Sequence, residues 1–417
     1  MSSGSPRVLR TLNERATLEL LLRSGPLTRG ELESLTGLSK ASAAEVLRRL
    51  EAARLVKKGG RKPGSAGPAA HMWALDGSCC HVAGVDVTPD ALDVAVADLT
   101  GQVVGEHRMA TPGIHDPIGS LAAAVGEAAR AAGLRTGDLD QVVIGMPGVV
   151  DVVGDRLDSV IQLPSWEHVH DLAPLRARLG NDRVRMENDV NLVAVEEMVK
   201  GAAREAESFA LFWLGQGIGA GVVLKGALWR GATGRGGEIG SIVVPDPVER
   251  GRVLGPEGGS LDSILGAEAV LRLARAHGLA ADATPIAETG TETGAGRGAM
   301  AASTADSTAR AAADVLREAV ADGHTAFLES LAARMAVGVI AVVGVIDPDL
   351  VVLGGSLCAA GGEELRRMVA VRLAATSLAR TPLALSTVSG NAVRAGAVEF
   401  ALDIAREQVF KAGTAGR

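Results

Sequence analysis

No apolar run in the 417 residues reaches the roughly 20 residues that a bilayer span needs; stretches such as 339–346 and 351–353 are far shorter. A membrane-crossing segment is therefore not expected. The first ten residues carry Arg7 and Arg10 but no apolar stretch behind them, so no secretory signal is expected either. Only three cysteines occur, Cys79, Cys80 and Cys358. Two of them are adjacent, a spacing that suits neither a disulfide framework nor a metal site. The expected compartment is the cytoplasm, and the length suggests two to three folding units.

Charge is unevenly spread. Through Lys62 there are 13 Lys/Arg against 6 Asp/Glu, which leaves 29 against 43 for the remainder. A basic head on an acidic body suggests that the head meets a polyanion. Within the head, Leu9, Leu12, Ala16, Leu18, Leu20, Leu21 and Leu22 recur with helical spacing until Ser24-Gly25-Pro26 stops them. Thr28 with Glu31 forms a capping-box pattern, and the short helix behind it is expected to turn Leu32 and Leu35 inward. After Thr36-Gly37-Leu38, Ser39 caps a third helix with Ala43, Val46, Leu47 and Leu50 on its apolar face, leaving Lys40, Ser42, Glu45 and Arg49 outward. Short helix, glycine turn and capped helix make a helix-turn-helix. Its second helix enters the major groove, which nominates Ser39, Lys40, Ala41, Ser42 and Arg49 for DNA contact. The basic, glycine-rich stretch Lys57 to Ser65 and the apolar run 71–75 read as a winged hairpin, with Arg61 and Lys62 on phosphate or in the minor groove. The DNA-binding head is expected over residues 1–75.

From residue 78 to 417, strands and helices alternate: β-branched runs at 82–87 and 92–99, a helix at 121–132, a strand at 141–144, strands at 209–214 and 221–224, a helix at 333–345 and a strand at 350–353. This is α/β, in two lobes with a cleft between them. The lobes are expected at about 78–190, joined by the C-terminal helix, and at 191–400. The stretch from about 280 to 313 is rich in Ala, Thr and Gly with almost no large apolar residue, and reads as a disordered or partly helical insertion, a linker.

Six motifs stand in order along the body: Gly148-Val149-Val150-Asp151, Leu163-Pro164-Ser165-Trp166, Glu187-Asn188-Asp189-Val190-Asn191, Gly215-Gln216-Gly217-Ile218-Gly219-Ala220-Gly221, Gly236-Gly237-Glu238-Ile239-Gly240, and Asp347-Pro348-Asp349 leading to Gly354-Gly355. In this the chain resembles the ROK family, which contains sugar kinases of two-lobed actin/hexokinase-like fold and, with an N-terminal winged helix-turn-helix, sugar-responsive regulators of the NagC/XylR type. The resemblance implies that Asn188 and Glu238 bind sugar. It places Asp189 where the kinases take the proton from the sugar hydroxyl, a carboxylate equally able to hold two hydroxyls without catalysis.

The departures from the family pattern carry as much information. Its motif histidine is Ser241 here, and its zinc loop aligns with residues 253–262, where the cysteine ligands are replaced by side chains that bind zinc poorly. No structural zinc and no other cofactor is expected. The last glutamate of that loop, a sugar contact, is Asp262, one methylene shorter. The kinases' first phosphate turn, Asp-x-Gly-Gly-Thr, is Asp86-Val87-Thr88-Pro89-Asp90, in which Pro89 removes an amide donor and Asp90 repels polyphosphate. Gln216 stands where kinases commonly carry Thr. The resulting expectation is a sequence-specific regulator, expected as a repressor, of carbohydrate metabolism. It would sense a sugar or sugar phosphate at Asn188, Asp189, Glu238, Ser241 and Asp262 and grip a double-stranded DNA operator as a homodimer or homotetramer. The alternatives are a bifunctional ATP-dependent sugar kinase and a regulator that no longer binds sugar.

Overall fold

The structure is a computed structural model that describes residues 6–61, 70–151, 156–160, 163, 166, 168–169, 171–244, 259–279, 294–376 and 380–415. The head begins with α1 (Pro6–Ser24), then β1 (Leu27–Thr28), α2 (Arg29–Thr36), α3 (Lys40–Ala52) and the hairpin β2 (Val56–Arg61) and β3 (His71–Leu75). Its three-stranded sheet has the order β1-β3-β2. The capping box is complete: the Thr28 amide donates to Glu31 Oε2 at 2.8 Å and the Glu31 amide to Thr28 Oγ1 at 3.3 Å. Gly37 ends α2 in the left-handed conformation, and the Ser39 side chain caps α3. Ala43, Val46, Leu47 and Leu50 are all buried, as the spacing predicts.

The inward face of α1 differs from the expected one. Leu9 and Leu12 are each 56% exposed, while Glu14, Thr17, Leu18 and Leu21 point in. Glu14 is turned inward by Arg49 of α3, whose Nη1 lies 3.3 Å from its carboxylate. Leu35, expected inside, is also exposed, leaving Leu32 as the buried residue of α2.

The first lobe contains β4 (His81–Val87), β5 (Ala91–Asp98), β6 (Val103–Ala110), α4 (Pro117–Ala131), β7 (Gln141–Met146), β8 (Gly148–Asp151), β9 (Arg156–Val160), α5 (Ala173–Leu179) and β10 (Val184–Asn188). Its main sheet runs β10-β7-β4-β5-β6. The helix α6 (Asp189–Val199) leads to β11 (Phe209–Leu214), β12 (Ile218–Leu224) and β13 (Ala227–Trp229) of the second lobe. Then follow α7 (Leu261–Leu265), α8 (Ala267–Ala276), α9 (Gly294–Ala321), α10 (Thr325–Ile346), β14 (Leu350–Gly354), α11 (Ser356–Ala374), β15 (Leu383–Leu385) and α12 (Ala392–Ala415). The second sheet runs β13-β12-β11-β14-β15. Both sheets combine two antiparallel and two parallel pairings in the same order, so each lobe repeats one plan. The helix α12 returns to the first lobe and packs on β4, β7 and α6.

One expectation needs correction, and one apolar helix needs placing. The supposed insertion is helical from Gly294 onward, and Ala309, Ala312 and Ala313 are buried in the second core beside Leu316; residues 280–293 lie outside the described set. Alanine reads as low complexity, yet it is what lets a helix pack closely at these positions. The helix α10 is long and apolar enough to cross a membrane by length and composition. It is instead the central helix of the second core, with Phe327, Leu331, Met335 and Val339 buried and Arg334 donating to the Ile264 carbonyl.

Between the lobes, α6 is gripped closely from two sides. A Cβ added at Gly221 of β12 would stand 2.6 Å from Ala194 Cβ, and one at Gly396 of α12 would stand 1.9 Å from the Leu192 carbonyl oxygen. Lys200 then ties the end of α6 to α12, 2.9 Å from Glu399 Oε1. Gly396→Ala has no flexible side chain to push aside and should lower stability by about 3 kcal/mol. Gly30→Ala, in open space within α2, should be neutral or gain up to about 1 kcal/mol. Differential scanning calorimetry of both variants checks the contrast.

Candidate functional site

The exposed start of α3 carries the first cluster of nominated residues. Ser39 and Ser42 are exposed and 2.9 Å apart through their hydroxyls, and the Ser42 amide donates to Ser39 Oγ at 3.2 Å. Lys40, beside them, is exposed and makes no ion pair among the described residues. A free cation and two hydroxyls at the N-terminus of an exposed helix suit phosphate and base edges. Arg49 departs from expectation: it bridges Glu14 and Glu45, the latter at 2.8 Å, and so is a strut between α1 and α3 rather than a free cation. Glu45 is also bound by Arg48, and these two arginines hold its carboxyl down to about 2. Arg61 pairs with His71 through the backbone at the end of β2, while Lys62 lies outside the described residues. Lys58, in the same strand, lies 5.6 Å from the centre of the Trp73 ring.

The second cluster lines a cleft of about 410 Å³ between the lobes. Asn188 ends β10 and caps α6: its Oδ1 accepts from the Asn191 amide at 3.1 Å and its Nδ2 donates to the Gly148 carbonyl at 2.9 Å. One amide hydrogen and one lone pair are then left for a ligand. Asp189 opens α6 with Oδ1 accepting from the Val190 amide at 2.8 Å. The carboxyl touches the cleft yet is enclosed by protein, and burial pushes it up to about 7, against the Val190 hydrogen bond and with help from the charges of Asp86 and Glu238. Glu238 reaches the cleft from the loop after β13, where the Gly237 carbonyl accepts from the Ala220 amide at 2.8 Å. Burial also raises Glu238, with Arg235 opposing and Asp262 adding to the effect. Asp189 and Glu238 thus face one space, poised to hold or exchange protons with hydroxyl groups.

Ser241 and Asp262 do not line that cleft. Ser241 is exposed and its hydroxyl donates to the Glu238 carbonyl at 2.9 Å, which steadies the loop. Asp262 stands beside Gly240 and senses Glu238 electrostatically; burial raises it while the Ile218 amide opposes. Residues 253–258 of the expected zinc loop lie outside the described set. Among the described residues no group of three His, Cys, Asp or Glu is placed to hold a metal ion, and Ser241 and Ser260, on either side of that segment, carry hydroxyls.

Next to the cleft, the turn from Asp86 to Ala91 borders a smaller cavity of about 250 Å³ with Asp93, Arg108, Gln216 and Asn391. Asn391 donates to Asp86 at 2.9 Å and to Asp93 at 3.3 Å, and Arg108 and Arg394 hold Asp93 at 3.1 and 2.7 Å. Burial raises Asp86 to about 6, although the Asn391 hydrogen bond opposes it. Thr88 closes the turn on itself through the Ala91 amide and carbonyl. Three carboxylates and an internally satisfied turn make a poor cradle for polyphosphate. Asp90 instead meets Arg310 of α9 across the mouth at 3.5 Å.

Three functional groups escaped sequence reasoning. Glu187 is buried and holds the junction together: its Oε1 accepts from the Asn188 amide at 3.0 Å and from Asn191 Nδ2 at 2.8 Å, and its Oε2 lies 2.6 Å from Arg230 Nε. Asn191 is buried on the cleft wall with an Oδ1 that has no partner. The four-residue spacing of Glu187 and Asn191 across a strand-to-helix junction could have flagged that pair, but nothing local marks Arg230.

In the native chain Asp189 keeps a proton that the unfolded chain releases near 3.8, so the folded state binds more protons between about pH 4 and pH 7 and loses stability as pH rises through that window. Asp189→Asn removes the loss. Its melting midpoint should exceed that of the parent by more at about pH 8 than at about pH 5; an equal gain at both would show that Asp189 titrates normally.

A family model described as ROK family matches residues 82–403, and one described as MarR family matches residues 10–64. A protein of Caldicellulosiruptor sp. (strain Rt8B.4) that carries the provisional name xylose repressor is 23% identical over 96% of this chain and 97% of its own. The xylose repressor of Bacillus subtilis (strain 168) is 25% identical over 58% of this chain and 63% of its own length. Among solved structures, a ROK family transcriptional regulator described as a homologue of the E. coli MLC protein superposes with a TM-score of 0.67, at 19% identity, over 97% of this chain and 99% of that one. The two-lobed body with Asn188, Asp189 and Glu238 in its cleft, carried behind a MarR-type winged head, makes this chain a member of the ROK family.

Proposed function

We propose that the chain is a sugar-responsive transcription regulator, a repressor that binds a palindromic operator as a dimer and acts in the cytoplasm. The head, over residues 1–75, reads DNA with Ser39, Lys40, Ser42, Arg61 and Lys62. The body, over residues 78–417, holds a sugar or sugar phosphate between Asn188, Asp189 and Glu238, with Asp262 behind them and no structural zinc. The observation that carries the reading is mechanical. The helix α12, which grips α6 beneath the sugar cleft, also packs against α1 of the head, where Leu18 and Leu21 share one apolar cluster with Ala401, Leu402, Ala405 and Phe410. Arg15 adds a bridge to Glu407 at 3.0 Å. A ligand that draws the lobes together moves α6, and α12 carries the displacement to the head, changing the spacing of two heads on DNA as a population shift.

A kinase is the second reading, favoured by Asp189 as a proton acceptor near neutral pH. It is opposed by the turn at Asp86–Asp90, where phosphate would meet carboxylates. The whole-length similarity to a protein named as a xylose repressor supports regulation over catalysis.

Selection of genomic fragments by the purified protein should yield a palindromic site whose affinity falls steeply with salt. Lys40→Ala should weaken binding to it by roughly tenfold. One member of a sugar panel should shift operator affinity, and Asp189→Ala should abolish the shift while leaving ligand-free DNA binding intact. No enriched fragment would defeat the reading; ATP hydrolysis that depends on a hexose and disappears in Asp189→Asn would install the kinase in its place.

A further inference from the structure

A second cavity, larger than the cleft at about 530 Å³, opens between β10, α5 and α12 and shares no lining residue with the cleft. Four arginines line it, Arg176, Arg183, Arg185 and Arg230, against two carboxylates, Asp182 and Glu187. Residues 183, 185 and 187 come to the same side because side chains alternate along an extended strand. Arg185 is exposed and makes no ion pair among the described residues; Arg183 is half-exposed beside Asp140 at 3.0 Å. Arg230 lies over the Phe400 ring at 4.9 Å, a flat platform at the pocket wall. The body carries a clear excess of negative charge, so a concave site with a local excess of two positive charges runs against its surroundings. Guanidinium forks match the tetrahedral oxygens of phosphate, and a concave pocket of this size suits a small molecule.

We infer that this arginine-lined pocket binds a phosphomonoester as a second effector, and that occupancy is coupled to the sugar cleft through Arg230 and Glu187. A phosphate competing for the Arg230 guanidinium weakens its hold on Glu187. The Glu187 carboxylate fixes the Asn188 amide and Asn191, both at the cleft, and Asn191 keeps an unpartnered buried oxygen that favours rearrangement. Phe400 and Gln408 of α12 complete the pocket wall, so the same occupancy bears on the helix that reaches the head. The coupling rests on the sugar-sensor reading; binding of the anion does not.

Calorimetric titration of the full chain with inorganic phosphate, glucose 6-phosphate and adenosine monophosphate, without sugar, tests the site. At least one should bind, with affinity reduced roughly tenfold or more in Arg183→Ala/Arg185→Ala and unchanged in Arg130→Ala, an exposed arginine of α4 that lines neither the pocket nor the cleft. Equal binding of all three identifies free phosphate as the source. Tighter binding of the hexose phosphate or of the nucleotide identifies a metabolite of that class. No heat from any probe up to about 10 mM, affinity indifferent to the Arg183/Arg185 change, or an equal loss in Arg130→Ala overturns the proposal. Anion binding without any sugar effect on DNA would retain the pocket and remove the sensor reading instead.

Discussion

The close approach of three elements around α6 is the constraint from which the rest of the architecture follows. Two glycines, Gly221 on the second sheet and Gly396 on α12, let backbone meet backbone at distances that no Cβ would tolerate. The first turn of α6 is thereby fixed at the boundary of the two lobes, and Asn188 and Asp189, being its cap and first residue, have nowhere else to point than the cleft. The site is thus positioned by main-chain packing more than by its own polar contacts. Buried apolar neighbours on both sides resist displacement as a unit, which makes α6 and α12 a lever rather than a spring.

Electrostatics on the two sides of the cleft point in opposite directions. Toward the cleft, burial raises Asp189 and Glu238, and Asp262 behind them is raised by burial as well. Toward the turn at Asp86–Asp90, Asp86 and Asp93 are held by Asn391, Arg108 and Arg394, and Asp90 pairs with Arg310 of the opposite lobe. The exposed Asp90–Arg310 pair contributes little energy. Its location still matters, because it joins the two lobes beside the smaller cavity that Asp90 lines.

The helix-turn-helix, the alternation of strands and helices and the Asn188-Asp189 and Glu238 motifs were legible because each follows a local rule: a cap, a period or a glycine-flanked carboxylate. What escaped was set by distant partners. Arg49 looked free until Glu14, 35 residues away, turned inward to meet it. The strand β6 was missed because Glu106, His107 and Arg108 break the apolar pattern, as befits an edge strand with one solvated face. The helix α9 hid in composition: its alanines signal low complexity in one dimension and close packing in three. Arg230 is 43 residues from Glu187 and has no periodic signature at all.

One helix connects several regions of this molecule. The helix α12 lies under β4 and β7, against α6 at the cleft, along the arginine-lined pocket through Phe400 and Gln408, and against α1 of the head. Whatever displaces it from the sugar side or the pocket side meets the same resistance at the head, where Leu18 and Leu21 share its apolar contacts. Two ligands acting on one rigid element are coupled by necessity, since each changes the cost of the position the other prefers, and the coupling is equal in both directions. A single basic head on this helix therefore suffices to report on both chemistries, and the net negative charge of the body opposes broad contact of the body with DNA.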